Sequence, residues 1–422
     1  TAGGADKIAA NPNLKWETTT TRDFGIDYGF FNDRLSGALD LYWNSTKDLI
    51  LKYKLSNGYN FQYRNIGKTK NLGVEFSVKG VILDKQSKDL NYSLTLDANI
   101  SANKNTVEDL GGLTEYYVST GYMNTGYVNA DAEFKLEEGL SVGRVWGYVA
   151  DGWYTAKDFD TYNPSTMIWT KDGEKIETVV ASSSFGARPG TMKLKDLNND
   201  GKITAEDRTE IGNTMPDFTG GFSLGAHVGG DAWGRVDVAS NFTYSYGNDV
   251  VNMTAIDMTA INKKTKMRNS LESVAFGKRY SLFDESGNYL PDQGVVGGSG
   301  LVEGEAYNQM AQMLDDVNAG ATVASPIQEN AALTSNVVED GSYLRLQSLT
   351  VGYSLPDKWL RKAYITKARI FFTASNLFTV TNYSGSDPEV DTGSKRNPLA
   401  VGIDWSAYPK SRAFNFGINL SF

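Results

Sequence analysis

The 422 residues carry a formal net charge of -9 with the charges scattered along the chain, which excludes the basic stripe that nucleic-acid binding needs. There is no Cys, so disulfides, thiolate metal sites and cysteine nucleophiles are excluded together, and no apolar run approaches the roughly 18 residues of a membrane-spanning helix. With 43 Gly, 23 Tyr, 19 Phe and 8 Trp against 10 Pro and one His, the chain is built from strand formers and turn formers; if it enters a membrane, it enters as a closed sheet.

Residues 1–15 are small and polar, and the start T-A-G-G-A-D-K lacks the basic and apolar regions of a signal peptide, so the chain reads as mature or as a fragment. A first strand follows, with Phe24, Ile26, Tyr28 and Phe30 alternating against Asp23, Gly25, Asp27 and Gly29. The tight link at 31–34 leads into a second, with Leu35, Gly37, Leu39, Leu41 and Trp43 on one row. A longer link is expected over 51–68, then a third strand carrying Leu72, Val74, Phe76 and Val78, a turn over 81–89, and a fourth with Leu90, Tyr92, Leu94, Leu96, Ala98 and Ile100 on one face.

Residues 104–217 form a long excursion with the aromatics Tyr116, Tyr117, Tyr122 and Tyr127 and a short run over 145–149. Strands resume over 218–228 and 236–246. A second excursion, 248–340, includes a helix over 303–317 with Ala306, Met310 and Met313 on one face. The strand over 341–355 slips phase near Gln347 and Ser348, which predicts a bulge. An alternating row from Thr366 to Phe378, a polar loop over 380–410 and the closing strand S-R-A-F-N-F-G-I-N-L-S-F complete nine strands. In the last, Phe414, Phe416, Ile418, Leu420 and Phe422 share one face.

The links alternate short and long. Single-chain outer-membrane barrels place short turns in the periplasm and long loops outside, which puts Phe422 in a periplasmic aromatic girdle and Thr1 outside the cell. Nine strands starting in an outer loop leave open edges in lipid, so the pattern predicts the carboxy-terminal part of a larger barrel, cleaved or otherwise divided. The fold class expected is all-β: a transmembrane antiparallel β-barrel, of which 1–422 supplies about nine strands, with extracellular loops at 104–217, 248–340 and 380–410.

Several runs carry a resemblance to a known family: N-P-N-L-K-W-E (11–17), G-F-F-N-D-R-L-S-G (29–37), D-L-N-N-D-G-K-I (196–203), D-R-T-E-I-G-N-T-M-P-D-F (207–218), L-T-V-G-Y-S-L-P (349–356), S-N-L-F-T-V-T-N-Y (375–383), D-P-E (387–389) and the closing strand. In this order they resemble the barrel of SusC/RagA-type TonB-dependent outer-membrane transporters of Bacteroidetes. The resemblance implies energised import of an oligosaccharide or peptide through a plugged barrel, with a SusD-like lipoprotein as lid and TonB acting on a plug that lies upstream, in the remainder of the transporter. Plugged transporters have about 22 strands. Lipid and lipopolysaccharide are then the expected surroundings. The alternative is a soluble, surface-exposed β-sandwich that binds glycans.

The sharpest local motif runs from Asp196 to Asp207. On a calcium-loop template Asp196, Asn198 and Asp200 occupy positions 1, 3 and 5, Gly201 makes the turn, Lys202 offers its carbonyl and Asp207 takes the last position. An EF-hand has a bidentate Glu there, so the Asp resembles dockerin loops and weakens the site. A structural Ca2+ is the one cofactor expected; the competing reading is a metal-free polar turn held by Asx hydrogen bonds. Catalysis finds little support. His227, with Gly225 and Gly229 two positions away on either side, falls on a strand's polar row and reads as a lumen-facing imidazole, and Glu137-Glu138 and Asp315-Asp316 read as solvated faces. The loop aromatics suit stacking on a ligand and packing among loops equally.

Overall fold

The computed structural model describes residues 8–55, 59–119, 133–259, 270–293, 300–326, 332–361, 364–390 and 399–422. Among these residues period-two alternation yields nine long strands: β1 Thr18–Phe30, β2 Leu35–Lys54, β3 Phe61–Lys85, β4 Asn91–Asp109, β5 Phe218–Gly230, β6 Gly234–Tyr246, β7 Tyr343–Ser354, β8 Lys367–Thr381 and β9 Ala413–Ser421. They pair in that order, every neighbour antiparallel, in one continuous sheet, and the short segment Ile8–Ala9 adds a parallel pairing to β3.

The register aligns the apolar rows across the sheet. Phe24 faces Leu41 and Leu41 faces Val74; Phe222 faces Phe242, and Phe372 faces Phe416. This row stays open, with Phe416 82 % and Ile418 65 % exposed. On the other face, aromatic rings lie over glycines of neighbouring strands, where the missing side chain gives them room. A methyl at Gly73 would collide with the Tyr42 ring, and one at Gly417 with that of Phe371.

The bulge expected near Gln347 is present: Ser348 opposes Asn241 while Leu346 opposes Phe242, leaving Gln347 over. The link expected over 51–68 is mostly strand instead. β2 and β3 have 20 and 25 residues, against the roughly 9 to 11 that cross a bilayer, so their pairing continues past the expected boundary. The same extension shortens the turn expected over 81–89.

The excess length carries a body made by the excursions. Leu51 of β2 and Val107 of β4 join a buried cluster with Phe134, Val145, Val251 and Ile403. A second cluster holds Tyr154, Tyr162 and Trp169 of the first excursion against Tyr280, Tyr307 and Leu314 of the second. Helix α1 (Gly304–Val317) buries Tyr307, Met310, Ala311 and Leu314; Ala306 is exposed, so the buried face is rotated from the one expected. Ile403–Asp404 joins the same body by pairing in parallel with Asp249–Asn252.

Candidate functional site

The opposite face of the sheet is polar and its side chains are laced across strands. Ser223 donates to Asn241 at 2.6 Å and Asn241 to Ser348 at 2.7 Å. Ser93 and His227 are joined at 2.7 Å, which places His227 on the polar row as expected. Arg369 on β8 reaches over β7 to Asp237 on β6, its Nε 3.1 Å from Oδ1. Gly352 makes that reach possible, since any side chain there would strike the guanidinium.

Near the loop end this face opens into a cavity of about 660 Å³, lined by Asn99, Thr219, Thr243, Arg345, Glu389 and Lys410 among others. Arg345 is 3 % exposed and donates to Thr379 at 3.0 Å, Glu389 at 2.9 Å and Asp387 at 2.5 Å. Lys410 closes on the same Glu389. A guanidinium placed between two carboxylates directs its fork into planar, charge-assisted hydrogen bonds and holds Asp387 and Glu389 against the sheet. Tyr383 donates to buried Asp404 at 2.6 Å; burial first, and the carboxylate second, push its hydroxyl pKa upward. Sequence reasoning does not single out Arg345, although the D-P-E run that holds it is a legible landmark.

The motif at 196–207 folds as one loop beside this body. Asp196 accepts from the backbone N–H groups of Asn199 at 2.6 Å and Gly201 at 2.8 Å, Asn198 from Asp200 at 3.0 Å, and Asp200 from Lys202 at 2.8 Å. Asn199 and Gly201 take positive φ. Asp207 is buried and turns its oxygens to the N–H groups of Leu197 at 2.9 Å and Thr204 at 2.7 Å. Burial raises its pKa, but those N–H groups outweigh it and hold the carboxyl below its ordinary value. Among the described residues no three His, Cys, Asp or Glu side chains are grouped to hold a metal.

Of the expected loop aromatics, Tyr116 packs against the first buried cluster and Tyr117 is partly exposed beside Lys135 and Arg208. Tyr122 and Tyr127 lie outside the described residues. The larger aromatic group is Tyr154, Phe159, Tyr162, Trp169 and Tyr307, whose rings contact one another inside the loop body.

Residues 1–179 match the family model described as TonB dependent receptor-like, beta-barrel. TonB-dependent receptor P3 of Formosa agariphila is 28 % identical over 418 residues, 98 % of this chain and 35 % of the relative. TonB-dependent receptor SusC of Bacteroides thetaiotaomicron is 26 % identical over 422 residues, 98 % of this chain and 33 % of the relative. The solved RagAB peptide transporter shares the fold with a TM-score of 0.63 at 24 % identity, over 98 % of this chain and 36 % of that one. The chain thus spans about a third of the length of these relatives, and both curated ones are named as receptors rather than as enzymes. With the landmark runs and the order of the nine strands, these matches make the chain similar to the SusC/RagA-type TonB-dependent outer-membrane transporters.

Proposed function

We propose that the nine strands form the closing part of the wall of a plugged, about 22-stranded transmembrane barrel that imports an oligosaccharide or oligopeptide. The rest of the wall and the plug, with its TonB contact, belong to the remainder of the transporter, and a SusD-like lipoprotein covers the loop end. One observation carries this reading. A nine-strand antiparallel sheet keeps an apolar row exposed on one face and a cross-linked polar row on the other, with the tight turns at one end and the loop body at the other.

A glycan-binding β-sandwich would cover the apolar row with a second sheet. The exposure of Phe24, Val380, Phe416 and Ile418 disfavours it. The transporter reading predicts that the intact protein fractionates with the outer membrane, needs detergent for extraction and shifts in gel mobility on boiling. Release into buffer without detergent, with one mobility throughout, would favour the sandwich.

We also propose that the 196–207 loop takes a structural Ca2+. Its support is the order of Asp196, Asn198, Asp200, Lys202 and Asp207 around a tight turn, with left-handed Asn199 and Gly201. The Asx bonds occupy some lone pairs on each carboxylate and leave others.

A further inference from the structure

On the outward face, near the loop end of the apolar belt, the register sets Arg22, Trp43, Leu72 and Lys104 in one row across β1 to β4. Lys70 stands one step further towards the loops, on the same face as Leu72. The Arg22 guanidinium lies 5.0 Å and the Lys70 ammonium 4.9 Å from the Trp43 ring centroid. Stacking on the indole restrains both cations while leaving their outer sides hydrated. Among the described residues, no ion pair is formed by Arg22, Lys70 or Lys104, whereas Lys68 nearby is paired with Glu108 at 2.8 Å.

Beside this row is a groove of about 790 Å³. Leu41, Leu72, Val74 and Lys104 line it from the sheet, and Leu140 and Met215 from the segments outside the sheet. Asp217 is the only carboxylate in its lining among the described residues. From Phe30 at the tight turn to Arg22 is eight residues, roughly 26 Å along the strand and about 20 Å in height at a tilt of about 40°, against about 25 Å for the apolar band.

We propose that this is a binding site for a phosphorylated acyl glycolipid of the outer leaflet, of the lipid A class. The cations around Trp43 and Lys104 take the phosphate and the apolar groove takes an acyl chain. The occupant follows from charge complementarity: three cations without acidic partners among the described residues adjoin an apolar groove close to the level of the headgroups. This site rests on the barrel reading, and the test separates the two.

The experiment uses the full-length transporter, extracted and delipidated in detergent, with lipid A, dephosphorylated lipid A and inorganic phosphate as probes and bound lipid read by native mass spectrometry. Wild type is expected to retain lipid A at least tenfold more tightly than the dephosphorylated form. An Arg22→Gln, Lys70→Gln, Lys104→Gln triple variant loses that preference, while Lys79→Gln on the inner face keeps it. Inorganic phosphate alone displaces little, because it leaves the groove unfilled. Equal retention by wild type and triple variant overturns the site, as does equal binding of the dephosphorylated lipid or full displacement by phosphate. If the triple variant does not insert, Trp43→Leu replaces it and is expected to lose the preference several-fold; unchanged preference again overturns the site. Failure of the wild type to show a heat-dependent gel shift would instead count against the barrel.

Discussion

Arg345 shows how one side chain holds Asp387 and Glu389 against the sheet. Removing one partner of a buried charge pair leaves the other charge buried and uncompensated, at about 3–5 kcal/mol. Arg345→Ala is therefore expected to release the 380–410 loop, read as rapid protease cleavage there. Arg345→Lys should rescue poorly, because an ammonium cannot satisfy Thr379, Asp387 and Glu389 with one planar fork. Unchanged cleavage in both variants would show that Arg345 is no clamp. Asp207 gives a pH dependence. Its folded pKa lies below the ordinary 3.8, so its contribution is full above that value and is lost as pH falls through the folded pKa. Protease protection of the 196–207 loop should hold from neutral pH to about 4 and fail below, whereas Asp207→Asn should lack protection already at neutral pH. For calcium, calorimetry on the wild type should show uptake that Asp200→Ala loses, with chelator exposing the loop to protease. Equal uptake by both proteins leaves the metal-free Asx turn as the better reading. The order of ligand-type residues was legible in the sequence. The role of Arg345 was not, because it depends on two carboxylates more than forty positions away along the chain.

Among the elements, strands declared themselves through alternation, and the bulge through a break in it at Gln347. The ends of β2 and β3 did not, because Lys52, Lys54, Gln62 and Arg64 interrupt the apolar pattern while their backbones go on pairing. Nor did the union of the two excursions, since a core shared by segments over a hundred residues apart has no local signature. Trp169, fully buried between them, tests that union. Trp169→Ala should cost about 3–5 kcal/mol of loop-body stability and raise protease cleavage in 150–190 and 280–317 together. Cleavage confined to the first segment would mean that the two excursions are stabilised separately.

For the whole molecule, the barrel reading requires that one face of the sheet meet lipid and the other water. The closing strand tests this most directly, because Phe414, Phe416, Ile418 and Leu420 alternate with Asn415, Gly417 and Asn419 and this chain has no Cys to mask. Single cysteines are placed at 414 to 420 in the intact transporter, on a background freed of any other cysteine. After reconstitution each is probed with a membrane-impermeant maleimide and, through a fluorescent label, with brominated lipid. Lipid quenching is expected at 414, 416, 418 and 420, and aqueous labelling at 415, 417 and 419. Uniform labelling from water along the strand, without period-two quenching, would contradict the barrel.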